Sequence, residues 1–284
     1  LTVIYYQVLL LIIIIIFFLY LKKKSNLTSI NPKGIPDVKS ALVILSPIST
    51  AITLGLTISI FFYSNRPIPL TEFMVLIILV PVTVLIPRMA GGSIKRDYYI
   101  VLALFVITTL HAYVFVYAWV NRVLLLIETL LLLYILFTFR KHINQINLKV
   151  KGFWYRSIVF VNTIYILLLA ISVLTNITGQ VRFSSDLFDA VITSSIFGVI
   201  TYILTVSLTS LIGVLTKEKG YQPSQLISKY QPFLNKRLRP FIEVLGLIFW
   251  VYVTLVSFSV YEVFINWLGN LMDTHFPTID DGDG

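Results

Sequence analysis

The chain has 284 residues, 57% of them hydrophobic and only 12% charged, with a formal net charge of +9. A soluble domain carries about twice that share of charge, so a sizeable water-soluble domain is excluded and lipid becomes the solvent for most side chains. Cysteine is absent, which excludes disulfides and thiolate metal sites.

Apolar stretches of about 17–25 residues predict eight membrane helices, roughly 1–21, 39–63, 70–87, 98–120, 123–139, 157–178, 187–215 and 241–268. The first, "LTVIYYQVLLLIIIIIFFLYLKKK", lacks the basic leading region and small-residue cleavage site of a secretory signal, and its lysines follow the apolar core. It reads as a retained helix. Leu1 already lies inside that run and the chain stops in "TIDDGDG", so the sequence is expected to be a segment of a longer protein.

The second helix carries Pro47 amid Ser46, Ser49 and Thr50, with Gly55 further on. The third carries Pro81 and ends at Pro87. An internal proline removes a backbone hydrogen bond and kinks a helix, and hydroxyls or neighbouring helices satisfy the freed carbonyls. Ordinary bending is one reading. A hinge or broken helix lining a substrate site is the other.

The fourth and fifth helices form a hairpin around Asn121 and Arg122, placing two intramembrane ionisable groups, His111 and Glu128, on facing arms. Counted from the turn, their depths differ by roughly 6 Å at ~1.5 Å per residue. Such groups are functional candidates by default, through structural hydrogen bonding or proton coupling.

The seventh helix shows a stripe of small and hydroxyl residues at spacings of three and four: Ser194, Gly198, Thr201, Thr205, Thr209 and Gly213. A stripe of that kind permits close helix packing, with a pore wall or substrate groove as the alternative. The segment 221–240 follows, and in it Lys229, Lys236, Arg237 and Arg239 alternate with apolar residues before Pro240. It reads either as an amphipathic elbow lying in the interface, its cations among anionic headgroups, or as a plain positive-inside anchor. Glu243 stands one turn beyond Arg239, in reach of a local ion pair.

The cations fix an orientation. The first connection and its edges hold Lys22, Lys23, Lys24, Lys33 and Lys39, and the third holds Arg88, Lys95 and Arg96. The fifth holds Arg140, Lys141, Lys149, Lys151 and Arg156, and the seventh Lys217, Lys219, Lys229, Lys236, Arg237 and Arg239. The even connections hold only Arg66, Arg122 and Arg182. Loops rich in Lys and Arg stay in the cytoplasm. The expected fold is therefore all-α and polytopic, with about eight transmembrane helices and both ends on the non-cytoplasmic side.

Catalytic chemistry is poorly represented. His142 and His275 sit in connections expected on opposite sides of the membrane, no Gly-rich phosphate loop follows a strand, and no Ser, His and Asp set converges. "DDGDG" lacks the ligand ladder and terminal Glu of a calcium loop. No enzyme, metal, cofactor or nucleic-acid partner is expected.

The stretch "RLRPFIEVLGLIFWVYVTLVSFSVYEVFINWLGNLMDTHFPTID" resembles the region before the pore module in larger bacterial members of the small-conductance mechanosensitive channel (MscS-type) family. The matching positions are Arg237, Arg239 and Pro240 at a basic, proline-marked entry, Trp267 and Leu268 near the exit, and Phe276 with Asp280 to Gly284 in an outer loop. The resemblance covers about 45 residues. Neither the family's Gly/Ala-patterned pore helix nor its β-rich vestibule falls inside the sequence. By that resemblance, residues 1–220 supply accessory helices one to seven, 221–240 an elbow, 241–268 helix eight, and 269–284 an outer loop leading to a pore module. It implies a bacterial inner-membrane protein in contact with lipid, a homo-oligomeric ring (a heptamer), and release of ions or osmolytes on hypo-osmotic stress. The alternatives are an ion-coupled secondary transporter and a non-transporting membrane scaffold.

Overall fold

The computed structural model describes residues 2–24, 45–61, 68–89, 92–114, 118–145, 153–217 and 237–275. Among them are nine helices and no strand: α1 (Thr2–Lys24), α2 (Pro47–Phe61), α3 (Ile68–Met89), α4 (Gly92–Val114), α5 (Ala118–Gln145), α6 (Phe153–Ile177), α7 (Val181–Lys217), α8 (Arg239–Ser257) and α9 (Tyr261–His275). Four stretches are long and apolar enough to cross a membrane: Trp119–His142, Tyr155–Ile177, Val181–Ile212 and Arg239–Ser257. Shorter apolar stretches run over Pro47–Thr57 and Val75–Ile86. Large apolar side chains point outward along these helices, among them Val80, Tyr134, Phe160 and Leu167, as lipid contact requires.

Two compact units divide the chain, one of residues 1–100 with 198–248, the other of 101–197 with 249–284. In the first, α1 packs on α2 and α2 on α3. Its core joins Phe18, Ala51 and Leu54 to Leu204, Leu208 and Leu211 of α7. In the second, α5 packs on α6, and Leu132, Leu169 and Phe188 are fully buried among Leu104, Tyr165 and Val191.

The prolines of α2 and α3 behave differently. Pro47 is the first residue of α2, where its missing N–H is unneeded and its fixed φ suits the helix. Ser46 takes the capping position: its carbonyl accepts the Thr50 N–H at 3.0 Å. Leu45 is also helical and Ser46 forms a bend, so Pro47 restarts the helix just after a break in it. A methyl added at Gly55 would meet Leu11 at 3.5 Å, an ordinary contact, so that glycine is not demanded by space.

Pro87 lies inside α3, and it cannot donate to the Thr83 carbonyl four residues earlier. Tyr99 of α4 supplies the missing donor: its hydroxyl donates to that carbonyl at 3.1 Å. The Lys95 ammonium stands 5.8 Å from the Tyr99 ring, a distance at which a cation is drawn to a ring face.

The largest departure from the expected elements falls in the last apolar run. Residues 241–268, expected as one helix, form two. α8 ends at Ser257, where the Ser259 N–H bonds the Val256 carbonyl at 2.9 Å and the Val260 N–H bonds the Leu255 carbonyl at 3.0 Å. This is the Schellman pattern, which needs a left-handed residue after the helix. Ser259 fills it at φ 55°. Helix resumes as α9, which continues to His275 through residues expected as loop.

Candidate functional site

Two regions carry the groups that sequence reasoning singles out: α8 with its basic entry, and the polar contacts buried among α5, α6 and α7. Of the entry residues, Lys229 and Lys236 lie outside the described residues. Arg237, Arg239 and Pro240 are exposed at the start of α8. Arg239 pairs with Glu243 one turn on, Nε to Oε1 at 3.7 Å, the local relation expected from the spacing. Both partners meet solvent, and such a pair contributes well under ~1 kcal/mol.

Only 6% of the apolar stretch of α8 is buried, against 61% for α7. Trp250 is its one buried residue. The indole Nε1–H donates to the Ser194 carbonyl at 3.0 Å, and Thr254 closes the next turn by donating its hydroxyl to the Trp250 carbonyl at 2.8 Å. In the unit of residues 101–197 with 249–284, Trp250 thus ties α8 to α7, and Phe258 just beyond α8 packs against the core that includes Val191 and Ile192. The rest of α8 turns Phe241, Ile248, Val251 and Val256 outward.

Ser194 opens the predicted stripe on α7. Ser194, Gly198, Thr201 and Thr205 are buried and Thr209 is half-buried; Gly213 is helical, and nothing more of it is described. Ser194 and Thr209 return their hydroxyls to their own helix, at 2.6 Å to the Ala190 carbonyl and 2.9 Å to the Thr205 carbonyl. Burial also extends beyond the stripe, to Ser207 and Ser210. α7 is therefore enclosed on more than one side.

Glu128 is buried on α5 at 5% exposure, next to the buried Thr129. His111 belongs to α4, but its side chain lies outside the described residues. The same unit holds buried polar groups that sequence reasoning passed over. Asn162 of α6 donates to the Leu136 carbonyl of α5 at 3.3 Å. The Ser172 and Ser184 hydroxyls meet at 2.9 Å between α6 and α7. Hydropathy reads lone Asn and Ser residues as noise; only their alignment across a helix hairpin reveals them.

The end of α6 is closed twice over. Gly179 adopts φ 93°, and the Gln180 N–H bonds the Thr175 carbonyl at 2.8 Å while the Gly179 N–H bonds the Asn176 carbonyl at 3.1 Å. Arg122, from the start of α5, donates to the Asn176 and Ile177 carbonyls at 2.9 and 3.1 Å. A cation at a helix C-terminus meets both its unpaired carbonyls and the negative end of its dipole.

Among the described residues, no three His, Asp or Glu side chains converge as a metal site. Comparison with protein-family models, with curated proteins and with solved structures returns no match.

Proposed function

We propose that the chain is the accessory, tension-sensing transmembrane region of a mechanosensitive ion channel, crossing the bacterial inner membrane eight times with both ends outside. The observation that carries this reading is α8, a helix of bilayer length in which Trp250 alone is fully buried and nearly half of the side chains stand exposed. Lateral tension favours whichever state occupies more area in the membrane plane. A helix with little protein contact and much lipid contact follows such a change at small cost, whereas α7, enclosed on several sides, does not. The confinement of cations to alternate connections supports the orientation, and the resemblance around Arg237, Arg239 and Pro240 supports the family. On this reading seven copies form the ring.

The basic entry of α8 is the elbow at which tension acts. Neutralising Lys236, Arg237 and Arg239 together removes headgroup attraction worth about 1 kcal/mol per cation. The pressure threshold in patch recordings of the full-length protein then shifts. An unchanged threshold, with normal membrane insertion, would refute the elbow.

A second reading rests on Glu128, a carboxyl buried in a membrane-length helix. Groups so placed commonly serve ion or proton coupling, which makes an ion-coupled secondary transporter the alternative. Uptake by reconstituted protein that disappears in Glu128→Gln would favour the transporter over the channel.

A further inference from the structure

We propose that α9 lies along the membrane surface, its apolar side in the acyl region and its polar side in the headgroups, and that it belongs to no crossing. Four observations on this chain lead there. First, α8 alone has the length of a bilayer: 19 residues at ~1.5 Å each give about 28 Å, against a hydrocarbon thickness of about 30 Å. Little of the hydrocarbon core remains when α9 begins.

Second, the chain turns at the junction. Tyr252 of α8 and Tyr261 of α9 meet edge-to-face with ring centroids 5.2 Å apart. In one straight helix those positions would be separated by about 13–14 Å along the axis. The left-handed Ser259 supplies the bend.

Third, α9 is two-faced, with Val263 at the edge between its faces. At helical spacing, Glu262, Asn266 and Asn270 gather on one side, and Phe264, Ile265 and Trp267 on the other. Fourth, the apolar set is open. Phe264, Ile265 and Trp267 are 39%, 43% and 56% exposed, and the neighbouring lipid-facing residues of α8, Val251 and Val256, are 47% exposed.

That continuity identifies the occupant. Tyr252 and Tyr261 touch at the junction and both are exposed, so the open surface of α8 passes onto α9 there and the solvent that covers the first reaches the second. Trp and Tyr, with an apolar body and a polar edge, settle at the depth where such a helix would lie. The sequence of α9 contains Glu262 and no Lys or Arg, which makes apolar burial, not attraction to anionic lipid, the source of the placement. This inference rests on the membrane reading of α8 and on nothing about conduction, so recordings that sank the channel would leave it standing.

The absence of cysteine makes the test direct. Single cysteines at Phe264, Ile265 and Trp267, and at Glu262, Asn266 and Asn270, are spin-labelled in the full chain in liposomes. Each is then titrated with oxygen, which concentrates in lipid, and with a water-soluble nickel chelate. All six parent side chains are exposed, so the labels displace no core. The expected result is a helical alternation: oxygen collisions dominate at the first three positions and nickel collisions at the second three. Oxygen dominance at all six, graded with depth, would make α9 the end of a crossing and overturn the proposal. Labels at Phe264, Ile265 and Trp267 shielded from both reagents would mean a protein partner or a second copy covers the face, and would overturn it equally.

Discussion

Trp250 is the residue whose replacement tests the view of α8 as a loosely held helix. Its indole makes one hydrogen bond, to the Ser194 carbonyl at 3.0 Å, and its side chain is 6% exposed. Trp250→Phe removes the donor and keeps most of the ring. The Ser194 carbonyl sits inside α7 and keeps its own helical partner, so no orphan is created, and the loss stays near the ~0.6 kcal/mol typical of such bonds between membrane helices. Trp250→Ala also removes the packing. In a water-soluble core that costs about 3–5 kcal/mol. Here lipid is as apolar as the protein, the transfer part of that cost vanishes, and on the order of 2 kcal/mol remains. A cysteine at Ser194, fully buried in the parent, reports separation of α8 from α7 through its rate of alkylation in detergent. Trp250→Phe accelerates labelling about threefold and Trp250→Ala roughly thirtyfold, taking 1.4 kcal/mol per factor of ten. Equal rates in parent and Trp250→Ala would show that α8 is held elsewhere, and the reasoning about its freedom would fail.

Ser259 occupies a left-handed position at φ 55° that glycine adopts without strain, so Ser259→Gly stabilises the junction of α8 and α9 by about 1 kcal/mol. A higher thermal midpoint in detergent is the expected reading, with Ser259→Val lowering it. Tyr99→Phe leaves the Thr83 carbonyl without the donor that Pro87 cannot provide, at a cost of about 1–3 kcal/mol. In a Pro87→Ala background the backbone N–H is restored, and the same Tyr99 substitution costs measurably less. Additive effects in that double-mutant cycle, read by thermal unfolding, would show that Tyr99 does not compensate the proline.

Hydropathy made the helical character of the chain legible before any coordinates. The sixth run, expected over 157–178, ends as α6 at Ile177, and the α7 stripe reads from spacing alone. The runs expected over 70–87 and 123–139 are longer as α3 and α5. Their flanking polar residues, Arg140 and Lys141 among them, continue the helix after the apolar count has ended, because a long side chain reaches water from below. The turn at Ser259 left no trace. "SFSV" has neither glycine nor proline, and a hydropathy window is blind to a backbone angle. Trp250 was equally hidden, since an aromatic in an apolar run looks the same whether it faces lipid or seals a contact.

Arg122 shows how a local role bears on an argument made from charge counts. The orientation rests on cations avoiding the even connections, and Arg122 is one of the exceptions there. Its guanidinium is committed to the Asn176 and Ile177 carbonyls, while the Asn176 amide donates back to the Arg122 carbonyl at 3.4 Å. The side chain therefore ties the start of α5 to the end of α6, a structural reason for a cation to stand where few others do. Two consequences separate this capping role from a topological one. Arg122→Gln weakens the closure by about 1 kcal/mol, the lower range for a charged hydrogen bond that solvent reaches, and lowers the thermal midpoint. The side of the membrane reached by reporters fused after α5 and α6 stays the same. Reporters that changed sides would mean Arg122 acts in insertion, and the alternation of cations would lose the independence that makes it informative.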